Sequence, residues 1–302
     1  MKSEDNLQWW VLITVVIGTL LGSLDRMVAN LALPNIISAF SITVSTSAWI
    51  VTVYILANAI FVPVWGKLGD MFGRKKVYLT GFIIFIGSSL FAGLAWNFGS
   101  LLFFRIIQGI AISADYPTAM AILTVTFVDG KKRAQALGIW SASMALGAIL
   151  GPLIGGPLID AFGWRSVFLI NVPLGFIGMV MALFFIKEST SPKPKGNFDF
   201  FGAIILGVFL SAIVLVMERG NSWGWISGAS LISYFIAIVS AILFYFIEKH
   251  QKEPIIDFEI LKFCIFLLCS GVCTLEVRLN YDQSQRKPVR RRHRSCGGRS
   301  QA

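Results

Sequence analysis

Apolar residues run along this chain in stretches of membrane-spanning length, separated by short segments that carry nearly all the charge. At about 1.5 Å per helical residue, some twenty such residues cross a hydrocarbon core about 30 Å thick. Eight runs are legible: Trp10–Leu33, Ala48–Trp65, Val77–Ala95, Leu101–Thr126, Ala134–Ile159, Val167–Ile186, Phe200–Val216 and Gly228–Ile247. The first is too long for the apolar core of a signal peptide and contains an acid, Asp25, so it reads as a retained span.

The spacing of the runs suggests an organisation. Six spans lie close together over 1–186, and a segment rich in Lys and Pro over 187–199 breaks the rhythm before a two-helix hairpin over 200–247. Residues 248–262 are amphipathic and charged, as expected of a cytoplasmic connector. A further apolar run begins at Phe263 and stops at Val272, about half the length of a span. Thr274–Ala302 is polar, basic and poor in aromatics, so residues 263–302 are expected to be an aborted ninth helix and a disordered tail. The fold class is all-α membrane protein: a six-helix bundle plus a hairpin.

Composition agrees. With 56% hydrophobic and 14% charged residues, the chain has more apolar surface than a soluble domain of 302 residues could bury, so the lipid bilayer is its solvent. Lys and Arg cluster in alternate loops: Lys67, Arg74, Lys75 and Lys76 after the second span, Lys131, Lys132 and Arg133 after the fourth, Lys187, Lys193 and Lys195 after the sixth. The other loops hold only Arg165 and Arg219. Cytoplasmic loops retain positive charge during insertion, which places both termini in the cytoplasm of a multi-pass cell-membrane protein.

The net charge of +10 invites a nucleic-acid partner, but it is unevenly spread. Eight basic and two acidic residues lie from Cys264 onward, giving +6, and the preceding 263 residues carry only +4. No nucleic acid is expected. All four cysteines also fall in that last stretch, at spacings that match no zinc pattern.

Chemistry is expected where charge lies in hydrocarbon, because such residues are costly. Asp25 falls about 12 Å below the outer end of the first span, and Arg105 about 6 Å below the outer end of the fourth, so the two can share a depth. A carboxyl in hydrocarbon favours its neutral form and a nearby guanidinium favours the ionised one, so moving that partner would load and release a proton. The alternative is a fixed ion pair of Asp25 with Arg26 or Arg105. Asp115 is deeper, two residues before Pro117, where the helix is expected to bend. It is a second candidate proton carrier, a group that recognises cationic substrates, or a hydrogen-bonded acid with no part in transport.

Three motifs add to this. The sequence GKLGDMFGRKK over 66–76 has glycines for a tight reversal (Gly66, Gly73) and Asp70 placed to accept from a helix N-terminus or from Arg74. The fifth span carries Gly138, Gly147, Gly151, Pro152, Gly155 and Gly156, with small residues four apart that let a neighbouring helix approach closely. LDRMVANLALP over 24–34 holds Asp25.

Together these resemble the major facilitator superfamily, and the resemblance covers residues ~10 to ~263. The 66–76 segment resembles the family's signature loop, with Met71 standing where that loop usually has a basic residue. The glycine pattern resembles its antiporter motif, and 24–34 the first-span motif of drug:proton antiporters. RIIQG over 105–109, WRSVFLINVPLG over 164–175 and DFFG over 199–202 point to the fourteen-helix branch, in which a hairpin joins two six-helix domains. The resemblance implies a proton-coupled exporter of lipophilic or cationic small molecules, with the proton as coupling ion, no other cofactor, and the second domain missing here. The usual pattern places no acid at Asp115. Asn30, Tyr54, Gln108 and Trp140 are candidate cavity residues.

Two other functions stay open. One is a transport-incompetent fragment that binds a full-length transporter; the other is a proton symporter for a polar solute, which the glycine motif argues against. An enzyme is not expected: there is no nucleophile with its base, no metal-ligand cluster and no phosphate loop.

Overall fold

The computed structural model describes residues 2–189 and 200–250. Among these, twelve helices follow in order: α1 (Lys2–Leu31), α2 (Leu33–Phe40), α3 (Val44–Ser47), α4 (Trp49–Phe72), α5 (Arg74–Gly93), α6 (Phe98–Ile112), α7 (Asp115–Thr126), α8 (Gly130–Phe162), α9 (Ser166–Leu169), α10 (Asn171–Phe185), α11 (Phe200–Trp223) and α12 (Gly228–His250). Three short joints are continuous enough that α3 with α4, α6 with α7 and α9 with α10 each make one span, giving eight helices long and apolar enough to cross a membrane. The expected linker and connector lie outside the described residues apart from their first three positions, and the expected aborted helix and tail lie outside them altogether.

The breaks have local causes. Pro117 has no N–H, and its ring opposes the carbonyl of Ser113, so the fourth span is interrupted at Ser113 and Ala114. Ala114 N–H turns to Ala111, and the carbonyl of Ile110 instead accepts from Trp65 Nε1 at 2.7 Å and from the Ser113 hydroxyl at 2.6 Å. Pro34 occupies the first turn of α2, where a missing N–H leaves no bond unmade.

The segment over 66–76 is not a loop of several residues. Helix α4 runs through Phe72, α5 starts at Arg74, and Gly73 alone makes the reversal, with φ +106. Gly66 is helical and faces Pro117 across α7. The expectation of two turn glycines is corrected to one, because one left-handed residue suffices to end one helix and begin the next.

Helix α1 packs on α8 and α10, α5 lies against α6 and α10, and α4 lies against α6 and α5. The hairpin of α11 and α12 is attached through α11 on α4. Arg219, expected in an outer loop, is instead inside α11 and 4% exposed. Its guanidinium donates to the Ser45 carbonyl at 3.3 Å and lies 4.3 Å from the centre of the Trp49 ring. A span read to end at Val216 in fact extends to Trp223, since a buried Arg with a carbonyl and a ring to meet continues the helix.

Two apolar clusters fill the bundle. One joins Val11, Leu12, Val15 and Leu21 of α1 to Phe82, Phe85, Leu123 and Trp140. The other joins Leu24 and Val28 to Ile36, Ile50, Leu101, Trp164 and Phe168. Asp25 falls next to the seam between them.

The start of α8 is set by Asp129, whose carboxylate accepts from the N–H groups of Lys131 at 2.8 Å and Lys132 at 2.9 Å. These amide bonds hold its carboxyl below the ordinary carboxylate range, so the cap's contribution is complete above that range and is lost as pH falls through and below it. Asp129→Ala is expected to speed hydrogen exchange at the Lys131 and Lys132 amides at neutral pH and to converge with the wild type in acid. Equal exchange at neutral pH would contradict the cap.

Candidate functional site

A polar network crosses the interior of the bundle. Arg105 Nη1 donates to Asp25 Oδ2 at 2.8 Å, and both side chains are 0% exposed. The same Nη1 lies 3.1 Å from Gln108 Oε1, and Gln108 Nε2 donates to Ser89 Oγ at 2.7 Å. Arg105 Nε points at the Ile50 carbonyl at 3.5 Å, and the guanidinium sits 4.2 Å from the centre of the Tyr54 ring. The other oxygen of Asp25 accepts from Asn171 Nδ2 at 2.6 Å. Arg105 Nη2 has no hydrogen-bond partner among the described residues.

Close helix approach makes this network reachable. A Cβ at Gly109 would lie 2.5 Å from the carbonyl oxygen of Tyr54, so only glycine lets α6 come near enough to α4 for Arg105 to reach Ile50 and Tyr54. Asp25 pairs with Arg105 and not with its neighbour Arg26, because successive residues on a helix point about 100° apart and Arg26 is directed to another side, where it is exposed.

Asp115 belongs to a second, separate polar cluster. Thr19 Oγ1 donates to Asp115 Oδ2 at 2.7 Å, and Trp140 Nε1 donates to the Thr19 oxygen at 2.8 Å. Asp115 Oδ1 is buried with no hydrogen-bond partner among the described residues. A small pocket of about 20 Å³ lies beside it, lined by Gly18, Tyr78, Phe82 and Phe85 among others. In front is an open cavity of about 380 Å³ lined by residues of α1, α4, α6, α7 and α8, among them Thr19, Arg26, Asn58, Asp115, Tyr116 and Met144.

The four residues expected in a cavity do not line this one. Tyr54 and Gln108 are 0% exposed and Trp140 is 3% exposed, all held by the two networks. Asn30 is exposed and donates to the Arg26 carbonyl at 3.2 Å. A polar or aromatic residue within a span marks an inward-facing position, and whether that position meets another helix or open space depends on how its neighbours pack.

The stripe on α8 divides in the same way. A Cβ at Gly147, Gly151 or Gly155 would lie 2.6, 2.5 or 2.6 Å from atoms of Ser23, Met27 or Val28, so these three form the contact with α1. Gly138 and Gly156 have no neighbouring atom within 4 Å of such a Cβ, among the described residues. Pro152 is exposed and lies within an unbroken helix. It has no N–H for the carbonyl of Ala148, a residue of the open cavity.

At the other end of the bundle, Arg74 lies 3.3 Å from Asp70, one turn away, and donates to the Ala121 carbonyl at 3.3 Å. Glu188 accepts from the Lys75 N–H at 3.2 Å and so caps α5.

These arrangements coincide with a known sequence pattern, that of the Major Facilitator Superfamily, which matches residues 15–275. The chain belongs to this superfamily. Its members are membrane transporters, not enzymes. Multidrug resistance protein Stp of Mycobacterium tuberculosis (strain ATCC 25618 / H37Rv) is 31% identical over 269 residues, covering 89% of this chain and 50% of that protein. Multidrug resistance protein 3 of Bacillus subtilis (strain 168) is 32% identical over 258 residues, covering 85% and 50%. The chain thus spans about half the length of these curated relatives. Among solved structures, the POT family transporter PepTSo shares the fold at a TM-score of 0.57 and 12% identity, covering 81% of this chain and 55% of that one. The human organic anion transporter MFSD10 does so at 0.54 and 15%, covering 78% and 70%.

Reading the sequence missed four partners in this superfamily fold: Asn171 and Ser89 in the buried network, Thr19 beside Asp115, and Glu188 at the α4–α5 turn. Asn171 was visible as a polar residue in an otherwise apolar stretch. Ser89 and Glu188 carry no local signal, since a span tolerates Ser anywhere and loops are rich in Glu.

Proposed function

We propose that residues 1–186 form the first bundle of a proton-coupled exporter of small molecules, attached to a hairpin over 200–247, with both termini in the cytoplasm of a cell membrane. The observation that carries this reading is the buried Asp25–Arg105 pair, one residue from Arg26 at the open cavity. Asp25 is held by a guanidinium from α6 and an amide from α10, so relative movement of these helices changes its charge environment, and this is where we place exchange of the coupling proton. Rocking of one bundle against another about a midplane cavity is the motion that could move Arg105 relative to Asp25. The likeness to multidrug resistance proteins supports export of lipophilic compounds, and the Gly147, Gly151 and Gly155 contact between α1 and α8 supports a rigid unit that carries Asp25. Asp70 and Arg74 at the one-residue turn support a gating contact at the cytoplasmic end.

The test is export of ethidium from preloaded cells by this chain joined to the C-terminal half of Multidrug resistance protein 3 of Bacillus subtilis. Export is expected to stop on addition of a protonophore and to fall at least tenfold with Asp25→Asn. Export indifferent to both would overturn the coupling.

A further inference from the structure

We infer that the 380 Å³ cavity is built for amphoteric molecules, carrying a cationic amine and an anionic group at opposite ends of an apolar frame. This rests on reading that cavity as a substrate site and specifies what the site takes.

The charged groups on its wall are one acid and one base. Asp115 and Arg26 line it, with neutral polar groups from Thr19, Ser23 and Asn58, and apolar surface from Met27, Val62, Ile112 and Met144. The two charges do not neutralise each other. Asp115 is fixed to Thr19, and Arg26 follows Thr19 by seven residues on α1. Seven residues make two turns, which puts Thr19 and Arg26 on one face of α1, and among the described residues no ion pair joins Asp115 to Arg26.

Each charge also has capacity left for a ligand. Asp25, the acid next to Arg26 in sequence, has its oxygens occupied by Arg105 and Asn171, and Arg26 makes no ion pair among the described residues. Arg26 is exposed, with its guanidinium 5.9 Å from the centre of the Tyr54 ring. Asp115 Oδ2, which accepts from Thr19 on the cavity wall, keeps a second lone pair, while Oδ1 is buried on the far side towards Gly18 and Tyr78. Beside it, the Tyr116 ring lies 5.2 Å from that of Trp140, giving an ammonium group an aromatic surface next to a carboxylate.

The pairing discriminates by sign. A simple lipophilic cation that satisfies Asp115 lies in the unfavourable field of Arg26, and a simple anion meets the reverse situation. A molecule with both charges, spaced like the two residues, is opposed by neither. The apolar wall between them fits a rigid ring system.

Binding to the purified chain in lipid nanodiscs at pH 7 tests this with three matched probes. They are ciprofloxacin, whose piperazine ammonium and carboxylate sit at opposite ends of a rigid bicycle, its methyl ester, which keeps only the cation, and its N-acetyl derivative, which keeps only the anion. The zwitterion is expected to bind at least tenfold tighter than either derivative. Arg26→Gln, at an exposed side chain, is expected to bring the ester to parity with the zwitterion. Asp115→Asn, nearly isosteric and able to keep the Thr19 bond, is expected to bring the N-acetyl derivative to parity. Tight saturable binding of the ester alone would overturn the amphoteric assignment and leave the substrate-site reading standing. A preference for the zwitterion that survives both substitutions would likewise overturn the assignment. No saturable binding by any probe would overturn both readings.

Discussion

Arg105→Gln is expected to destabilise the folded bundle by about 3–5 kcal/mol, because it removes one partner of a fully buried ion pair. The Asp25 carboxylate is 0% exposed, and its remaining donor would be Asn171. Asp25→Asn is expected to cost a similar amount for the converse reason, since the guanidinium would keep only Gln108, the Ile50 carbonyl and the Tyr54 ring. The two effects should not add. The double variant Asp25→Asn with Arg105→Gln replaces a buried ion pair by two neutral amides that can hydrogen-bond to each other, and is expected to recover most of the loss. Unfolding titrations of the four proteins in mixed micelles read this directly. If the double variant is as unstable as the sum of the singles, the pair is not the coupled unit described above.

The second large effect is steric and lies at the α1–α8 contact. Gly147→Ala is expected to destabilise by about 1–3 kcal/mol, since added volume in a close contact forces backbone shifts. Its Cβ would meet Ser23 Cβ at 2.6 Å and the Leu20 carbonyl oxygen at 3.0 Å, and a backbone atom cannot rotate away. Gly138→Ala on the same helix meets nothing within 4 Å among the described residues, and is expected to be neutral or to stabilise by up to about 1 kcal/mol through helix propensity. The opposite signs, read from thermal unfolding of the two variants, separate packing glycines from incidental ones. Equal effects would show that the α1 contact does not depend on Gly147. Because α1 carries Asp25, its displacement should also weaken the bond to Arg105, so the loss in Gly147→Ala should shrink in an Asp25→Asn background.

The eight spans were legible from apolar run length because a helix is the economical way to satisfy a backbone in hydrocarbon, and it needs about twenty apolar residues to do so. The interruption before Asp115 was legible from Pro117, whose missing N–H acts within one turn. The superfamily was legible from motifs whose glycines and charges serve local geometry. The extent of the seventh span was not: Arg219 reads as loop until the Ser45 carbonyl and the Trp49 ring are found waiting for it.

For the site, the sequence by itself determined that Asp25, Arg105 and Asp115 lie inside spans and that Asp25 and Arg105 are able to share a depth, because rise per residue is fixed along a helix. Only the tertiary structure decided that Asp25 turns to Arg105 and Asn171 while Arg26 turns to the cavity, and that Tyr54, Gln108 and Trp140 support the networks without lining the open space. Within a membrane span, apolarity faces lipid and protein alike, so hydrophobic patterning does not report which helix lies against which face. That choice is made by contacts between residues far apart in the chain, of which Gly147 on Ser23 and Gly109 on Tyr54 are examples.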